Sequence, residues 1–475
     1  MDVGRVREAM VKLFISFATE EFVTPAHDEI LTRIAGILTE RHITGSFHLT
    51  GEFARYLRDN QRCEVLAALS QHEIGYHSNT HGAYPFLGSL CEDEPWDSAV
   101  EKLMRTEAKG IVDIENIFGR RPAYYVTEFT KAPQLIYALR CLGIDTLGFS
   151  DLPERAGVPF SWYTGSLCYT GPMLGIESPP HADRFQNLTD KFDRLYEQQK
   201  AKGPNGAIKL FNHPYKFAYN NTIASWVSKN EIYKSYDIHT PWVVPQESLY
   251  PAEITASLFG EFEDFLDHVL DKGDTEFLST SDIAQPYRSK PPRSIPWAMF
   301  CELLQQVDEK ISWRQAGDVT VSPCEMFALM TYALKFHSTY HILPDSLPLR
   351  APLGPVLESR ALKQAVVVSI DALMGRIAEI DRELDFSQQS PCELGLADTS
   401  IPLASAYLAF AKMLQGSIPT SGDLTFHPAA PLPEVASDDC FAAQSWTKES
   451  YPAGFTGENI CTHRRLQSWT YKPAS

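Results

Sequence analysis

From residue 10 to about 285, short apolar runs alternate with stretches whose apolar residues recur at helical spacing. Val11-Lys-Leu-Phe-Ile-Ser-Phe17 has the composition of a buried strand. Thr24-Pro25 then supplies an N-cap and a proline suited to a first helical turn, and Ile30 to Leu38 follow at helical spacing. The pattern predicts strands at 44–50, 73–76, 123–126 and 207–211, and helices at 51–69, 96–118, 133–142 and 253–270. Such alternation argues for parallel strands covered by helices, as a barrel or a doubly wound sheet. In both, catalytic groups gather at the C-terminal ends of strands.

The pattern changes near Ala284-Gln-Pro-Tyr-Arg-Ser-Lys-Pro-Pro-Arg-Ser-Ile-Pro296, whose prolines and basic residues mark a linker. Beyond it helical periodicity dominates, at 297–311, 322–340, 358–384 and 403–415. Two domains are therefore expected, residues 1–287 and a mainly helical 288–475. Two segments of the second are alike: Ser322-Pro-Cys-Glu to Ile342-Leu-Pro344, and Ser400-Ile-Pro-Leu to Ser417-Ile-Pro419. Each runs from a serine through an apolar helix to an Ile/Pro exit, the outline of an internal repeat.

The chain has 475 residues, 42 basic and 60 acidic, for a net charge of −18. That balance argues against nucleic acid as a partner. No apolar run of about 18 residues is present, so no membrane partner is expected. The segment Met1 to Ile15 lacks an apolar signal core. The nine cysteines are scattered and never spaced C-x-x-C, as in reduced proteins. A cytoplasmic location is the expectation.

The sharpest chemical feature is His72-Glu-Ile-Gly-Tyr-His77-Ser-Asn-Thr-His81. Two imidazoles four residues apart can grip one divalent ion. Spacing alone is weak evidence, because 14 histidines in 475 residues give such a pair by chance about 0.4 times. Two partly exposed histidines in a polar loop are the bland alternative. The surrounding residues carry more. Ile15-Ser-Phe17, Thr24-Pro25, Ser46-Phe47 to Gly51, the pair His77/His81, Pro133 with Leu142-Gly143, and Ile208-Lys-Leu-Phe-Asn-His213-Pro occur in one fixed order. That order resembles the polysaccharide deacetylases, the NodB-homology family of carbohydrate esterases, over roughly residues 10–285.

The resemblance implies an α/β fold with an irregular (β/α) barrel. It implies a divalent metal, zinc by expectation, that polarises an acyl carbonyl. His77 and His81 are the implied metal ligands and His213 the acid that protonates the leaving amine. Two positions depart from the family. Ala18 and Thr19 stand where two aspartates belong, which makes Glu20 the candidate third ligand and Glu21 a candidate base. Tyr125 stands where an arginine belongs, and the two losses are mutually consistent because that arginine would hold the missing aspartate. Tyr125, Glu128 and His181 are candidate substrate contacts, with Asp183 beside His181. His27, His48 and His72 are assigned structural roles, and Asp151 is a weak candidate for a further family motif.

The expected function is metal-dependent hydrolysis of a C–N bond, as in deacetylation of an N-acetylated sugar or a related small amide. The substrate partner is a small molecule or a carbohydrate. A catalytically degenerate glycan- or ligand-binding barrel and a cytosolic small-molecule amidase are the alternatives. The C-terminal half is a candidate lid or homo-oligomer contact.

Overall fold

The computed structural model describes residues 10–20, 26–81, 87–126, 132–177, 180–181, 183–218, 249–288, 292–397, 399–438 and 455–474. Its centre is the strand β1 (Val11–Thr19), flanked in parallel by β2 (Ser46–Leu49), which continues to β3 (Glu73–Tyr76). Isolated parallel bridges from Tyr76 to Tyr125 and from Tyr125 to Leu147 carry the sheet on to β4 (Thr146–Leu147). There it meets the hairpin of β5 (Phe160–Tyr163) and β6 (Ser166–Tyr169). On the opposite edge of β1 lies β8 (Ala207–Asn212), which pairs in parallel with β7 (Met173–Gly175). β9 (Thr275–Phe277) pairs with the first residues of β1, on the β2 side.

Side-chain parity along β1 sorts the two faces of the sheet, since successive residues point to opposite sides. Leu13, Ile15 and Phe17 join the helix-covered core that includes Leu31, Leu38 and Phe262. Phe14, of opposite parity, packs edge-on against Tyr169 at 4.9 Å between ring centroids. Ser16, Ala18 and Glu20 share that second face. Ala18 sits beside His48 of β2, and Phe14 beside Lys209 of β8. The architecture is mixed α/β with a largely parallel sheet. Among the described residues no ladder joins β6 to β7. The contact across that interval is the Tyr169 hydroxyl, which faces the carbonyls of Pro172 at 3.0 Å and Ala207 at 3.3 Å.

Several expected elements are redrawn. The continuous helix at 51–69 is two, Gly51–Asp59 and Cys63–Ser70, broken at Gln61 with φ +53°. The strand at 123–126 is reduced to the bridge at Tyr125. β4 to β7 and the helix Arg184–Lys200 carried too short or too polar a pattern to be foreseen.

The C-terminal half is not simply helical. Strand Ser294–Pro296, helix Trp297–Gln305, hairpin Arg314–Ala316 with Val319–Val321, helix Pro323–Tyr340 and strand Ser346–Pro348 form one unit. Its first and last strands pair antiparallel. The same five-part order recurs in strand Val366–Ser369, helix Ile370–Ser387, hairpin Glu393–Leu396 with Thr399–Pro402, helix Leu403–Gln415 and strand Asp423–Phe426. Again the end strands pair antiparallel. The two look-alike sequence segments are the second helices of this tandem duplication. The helix expected from 358 begins at Ile370, because Val366-Val-Val-Ser369 is β-branched and Ser369 caps the helix through its hydroxyl.

Residues after Gly457 tie the two halves together. Strand Lys472–Pro473 pairs antiparallel with β5, and Trp469 enters the second core while Tyr471 enters the first. Lys472 Nζ donates to Glu325 Oε1 at 2.8 Å and to the Thr320 carbonyl at 2.9 Å. That pair is enclosed, with side-chain exposures of 11% and 3%. Removing one partner of a buried pair strands the other charge, at a cost of about 3 kcal/mol. Lys472→Met is therefore expected to lower the thermal unfolding midpoint by several degrees. Arg105→Ala, which removes an exposed pair with Glu101, is expected to leave it unchanged in the same calorimetric scan.

Candidate functional site

Four of the candidate residues, Glu20, His77, His81 and His213, converge at the C-terminal ends of β1, β3 and β8. Glu20 follows β1 with the parity of Ala18, which turns its carboxylate inward; it is 4% exposed. His77 follows β3, and its Nε2 lies 4.0 Å from Glu20 Oε2. His213 follows β8 with the parity of Lys209 and Phe211, and its Nε2 lies 3.8 Å from Glu20 Oε1. His81 sits in the loop after β3, its ring centroid 4.8 Å from that of His77. Glu20 thus stands between two imidazoles, one facing each oxygen.

Neither oxygen of Glu20 accepts a hydrogen bond among the described residues. A buried carboxylate without donors is costly by several kcal/mol unless an opposite charge compensates it. His77 is held in one orientation. Its Nδ1 bonds to the Val126 carbonyl, and since a carbonyl only accepts, Nδ1 carries a hydrogen and the ring turns Nε2 toward Glu20. A histidine ligand is oriented in this way by its distal nitrogen. Orphaned carboxylate oxygens beside an imidazole nitrogen form a donor set suited to a divalent cation. Among the described residues no group of three or more His, Cys, Asp or Glu is already drawn together as a metal cage. Glu20 and His77 are the pair the geometry favours, with His81 next.

His213 is differently placed. Its backbone N–H and its Nδ1 both donate to Glu177 Oε2, each at 2.7 Å. Burial opposes the imidazolium, but Glu177 and then Glu20 outweigh it, and His213 keeps its proton above the ordinary histidine range. Burial likewise works against the Glu177 carboxylate, yet His213 and Lys216 hold it below its usual range. Glu177 was not foreseen. It lies four residues before His181, which is exposed and belongs to the same connection toward the helix Arg184–Lys200.

Tyr125, a candidate substrate contact, is placed in the core. It is fully buried in the helix-covered core, because its parity points away from the imidazoles. Its neighbour Tyr124 faces His48 instead, at 6.1 Å between centroids. Asp151, too, is committed elsewhere, gripped by both nitrogen–oxygen contacts of Arg464 at 3.1 and 3.2 Å. Glu21 and Glu128 lie outside the described residues. His48 is buried beneath His77, with ring centroids 4.8 Å apart, and burial pushes its pKa far down. Beside it Lys209 is fully enclosed between Phe149 and Phe211, and burial lowers its ammonium to about 7. A lysine at an inward position of β8 was the available signal for that lower layer.

The chain is similar to polysaccharide deacetylases. A candidate polysaccharide deacetylase from Mycobacterium smegmatis shares 15% identity over 60% of this chain and 92% of its own, at a TM-score of 0.37. Puue allantoinase shares 13% over 60% and 93%, at 0.38. A family 4 acetyl xylan esterase from Clostridium thermocellum, solved with a cobalt ion, shares 12% over 58% and 91%, at 0.30. No protein-family model and no curated protein matches the chain. No helix among the described residues is long and apolar enough to cross a membrane.

The loop that carries His77 and His81 is pinned from behind. Glu107 of the helix Trp96–Phe118 accepts from the Tyr76 hydroxyl at 2.7 Å and from the Asn79 N–H at 3.0 Å. Burial raises its carboxyl to about 7. A group whose folded pKa is raised stabilises the fold below its unfolded pKa of about 4.3 and loses that contribution as pH climbs through about 7. Glu107→Gln carries no such proton. Its stability relative to the parent is expected to rise by on the order of 3 kcal/mol between pH 4.5 and 8, measured by denaturant unfolding at each pH. A constant difference across that range would contradict the assignment.

Proposed function

We propose that this site hydrolyses an acyl C–N bond, as in removal of an acetyl group from an N-acetylated sugar or a related small amide. The observation that carries the proposal is the buried Glu20 carboxylate, set between Nε2 of His77 and Nε2 of His213. Glu20 Oε2, His77 and His81 would hold a divalent cation, with zinc the expected ion. When bound, such a cation supplies Lewis-acid polarisation of the acyl carbonyl. The sheet, in this reading, closes as an irregular barrel around the cluster, and residues 1–287 form the catalytic domain.

The chain's own groups account for the proton traffic. Ala18 accepts no proton, so the carboxylate nearest the cluster takes that part. Glu20 Oε1, on the side of His213, receives the proton of the attacking water. His213 Nε2 then protonates the departing nitrogen, and Glu177 holds the imidazole in place and keeps it charged until that step. One carboxylate thus serves two roles that the family divides between two aspartates.

Ala18 also motivates the second reading, a barrel that binds a glycan or small ligand without turning it over. Loss of a base is what a degenerate site would show, and Glu20 is the group that separates the readings.

Two measurements test the proposal. Metal content after purification in zinc is expected to fall in Glu20→Gln and His77→Ala and to persist in His213→Ala; unchanged metal in the first two contradicts the assignment. In assays of acetate release from N-acetylated sugars, His213→Ala is expected to abolish turnover. Glu177→Gln removes the charge that raises the His213 pKa. His213 must be protonated to act, so the alkaline limb of kcat/KM is expected to move to lower pH in that variant. A limb that stays in place would assign the proton donation to another group.

A further inference from the structure

At the opposite end of the sheet from the imidazoles, a cleft of about 390 Å3 opens between the two halves of the chain. Asp145 lines it immediately before β4, at the N-terminal end of a strand parallel to β3, whereas His77 follows the C-terminal end of β3. The cleft therefore belongs to a different place in the fold from the candidate hydrolytic site. Its size is that of a small-molecule pocket.

Its lining carries both signs of charge, Arg140 and Asp145 from the first half and Asp318 from the second. Arg140, at the end of the helix Pro133–Cys141, belongs to the first half. Its guanidinium has no hydrogen-bond or ion-pair partner among the described residues. It lies against Gly165, where an added Cβ would sit 2.2 Å from Nη1 and where φ is +73°. Glycine favours that backbone, and its missing side chain leaves the guanidinium room. Asp318, exposed at the turn of the hairpin Arg314–Val321, lines the same cleft from the second half. It too has no ion-pair partner among the described residues. Asp145, held by Arg288 at 3.4 Å, adds a second carboxylate to the lining. The pair Lys472–Glu325 also lines the cleft and is internally neutral. Trp162 and Pro352 give the cleft an apolar surface.

We propose that this cleft is a second ligand site, which takes a small zwitterion of the class of free amino acids and short unblocked peptides. The ligand carboxylate meets the planar fork of Arg140, whose geometry suits bidentate pairing. The ligand ammonium meets Asp318, and the apolar body lies against Trp162. A simple anion would satisfy Arg140 but face two carboxylates, and a simple cation would leave the guanidinium unpaired. A neutral sugar would compensate neither charge. Because the walls belong to different halves, an occupant bridges them. This inference does not depend on the hydrolytic reading.

The test is isothermal titration of the full chain with glycyl-leucine, its N-acetyl and C-amide derivatives, and cellobiose. Saturable binding of glycyl-leucine is expected, weakened about tenfold or more by blocking either terminus. Arg140→Ala and Asp318→Asn are each expected to weaken it by a similar factor while the thermal unfolding midpoint of the unliganded protein stays unchanged. Absence of glycyl-leucine binding, equal binding of the blocked forms, binding of cellobiose in its place, or full affinity in both variants would each overturn the proposal.

Discussion

One buried negative charge organises the site. Glu20 is placed by strand parity, two residues beyond Ala18 on the inward face of β1, where water does not reach it and no backbone donor turns toward it. A carboxylate in that position must be compensated. The groups that face it are His77, oriented by the Val126 carbonyl, and His213, whose proton Glu177 holds above the ordinary histidine range. The chemistry proposed for the cluster follows from that one constraint.

The surrounding structure holds these groups in register. Glu107 fixes the histidine loop through Tyr76 and Asn79. Gly51 and Gly110 let the helix Gly51–Asp59 approach the helix Trp96–Phe118 closely, for a Cβ on Gly51 would lie 2.6 Å from Gly110 Cα. Ser78 and His81 adopt positive φ values of 71° and 39°, a conformation uncommon for residues other than glycine. Such local strain persists only where the surroundings over-determine the backbone, as they do here. The tandem units of the second half are joined to this framework by the final strand.

Much of the framework was legible because apolar periodicity is strong where strands and helices are fully buried. β1, β3, the helix Trp96–Phe118 and β8 follow directly from their residue patterns. The ordered series ending in His213-Pro214 located the imidazoles. What escaped notice had physical reasons. Glu177 reaches His213 through a fold contact between residues 36 apart, with no local pattern to announce it. Tyr125 was assigned by alignment to an arginine, whereas strand parity buries it. The short ribbons of the duplicated units are three or four residues each, too brief for a period of two to register. The duplication showed in sequence only through its longest apolar helices.

The most direct test of the central claim is anomalous diffraction from crystals of the full chain grown with zinc. The account predicts a peak at the zinc edge within bonding reach of Glu20 Oε2 and His77 Nε2. A well-ordered Glu20 with no anomalous density beside it, or with a hydrogen bond from another side chain in its place, would contradict it.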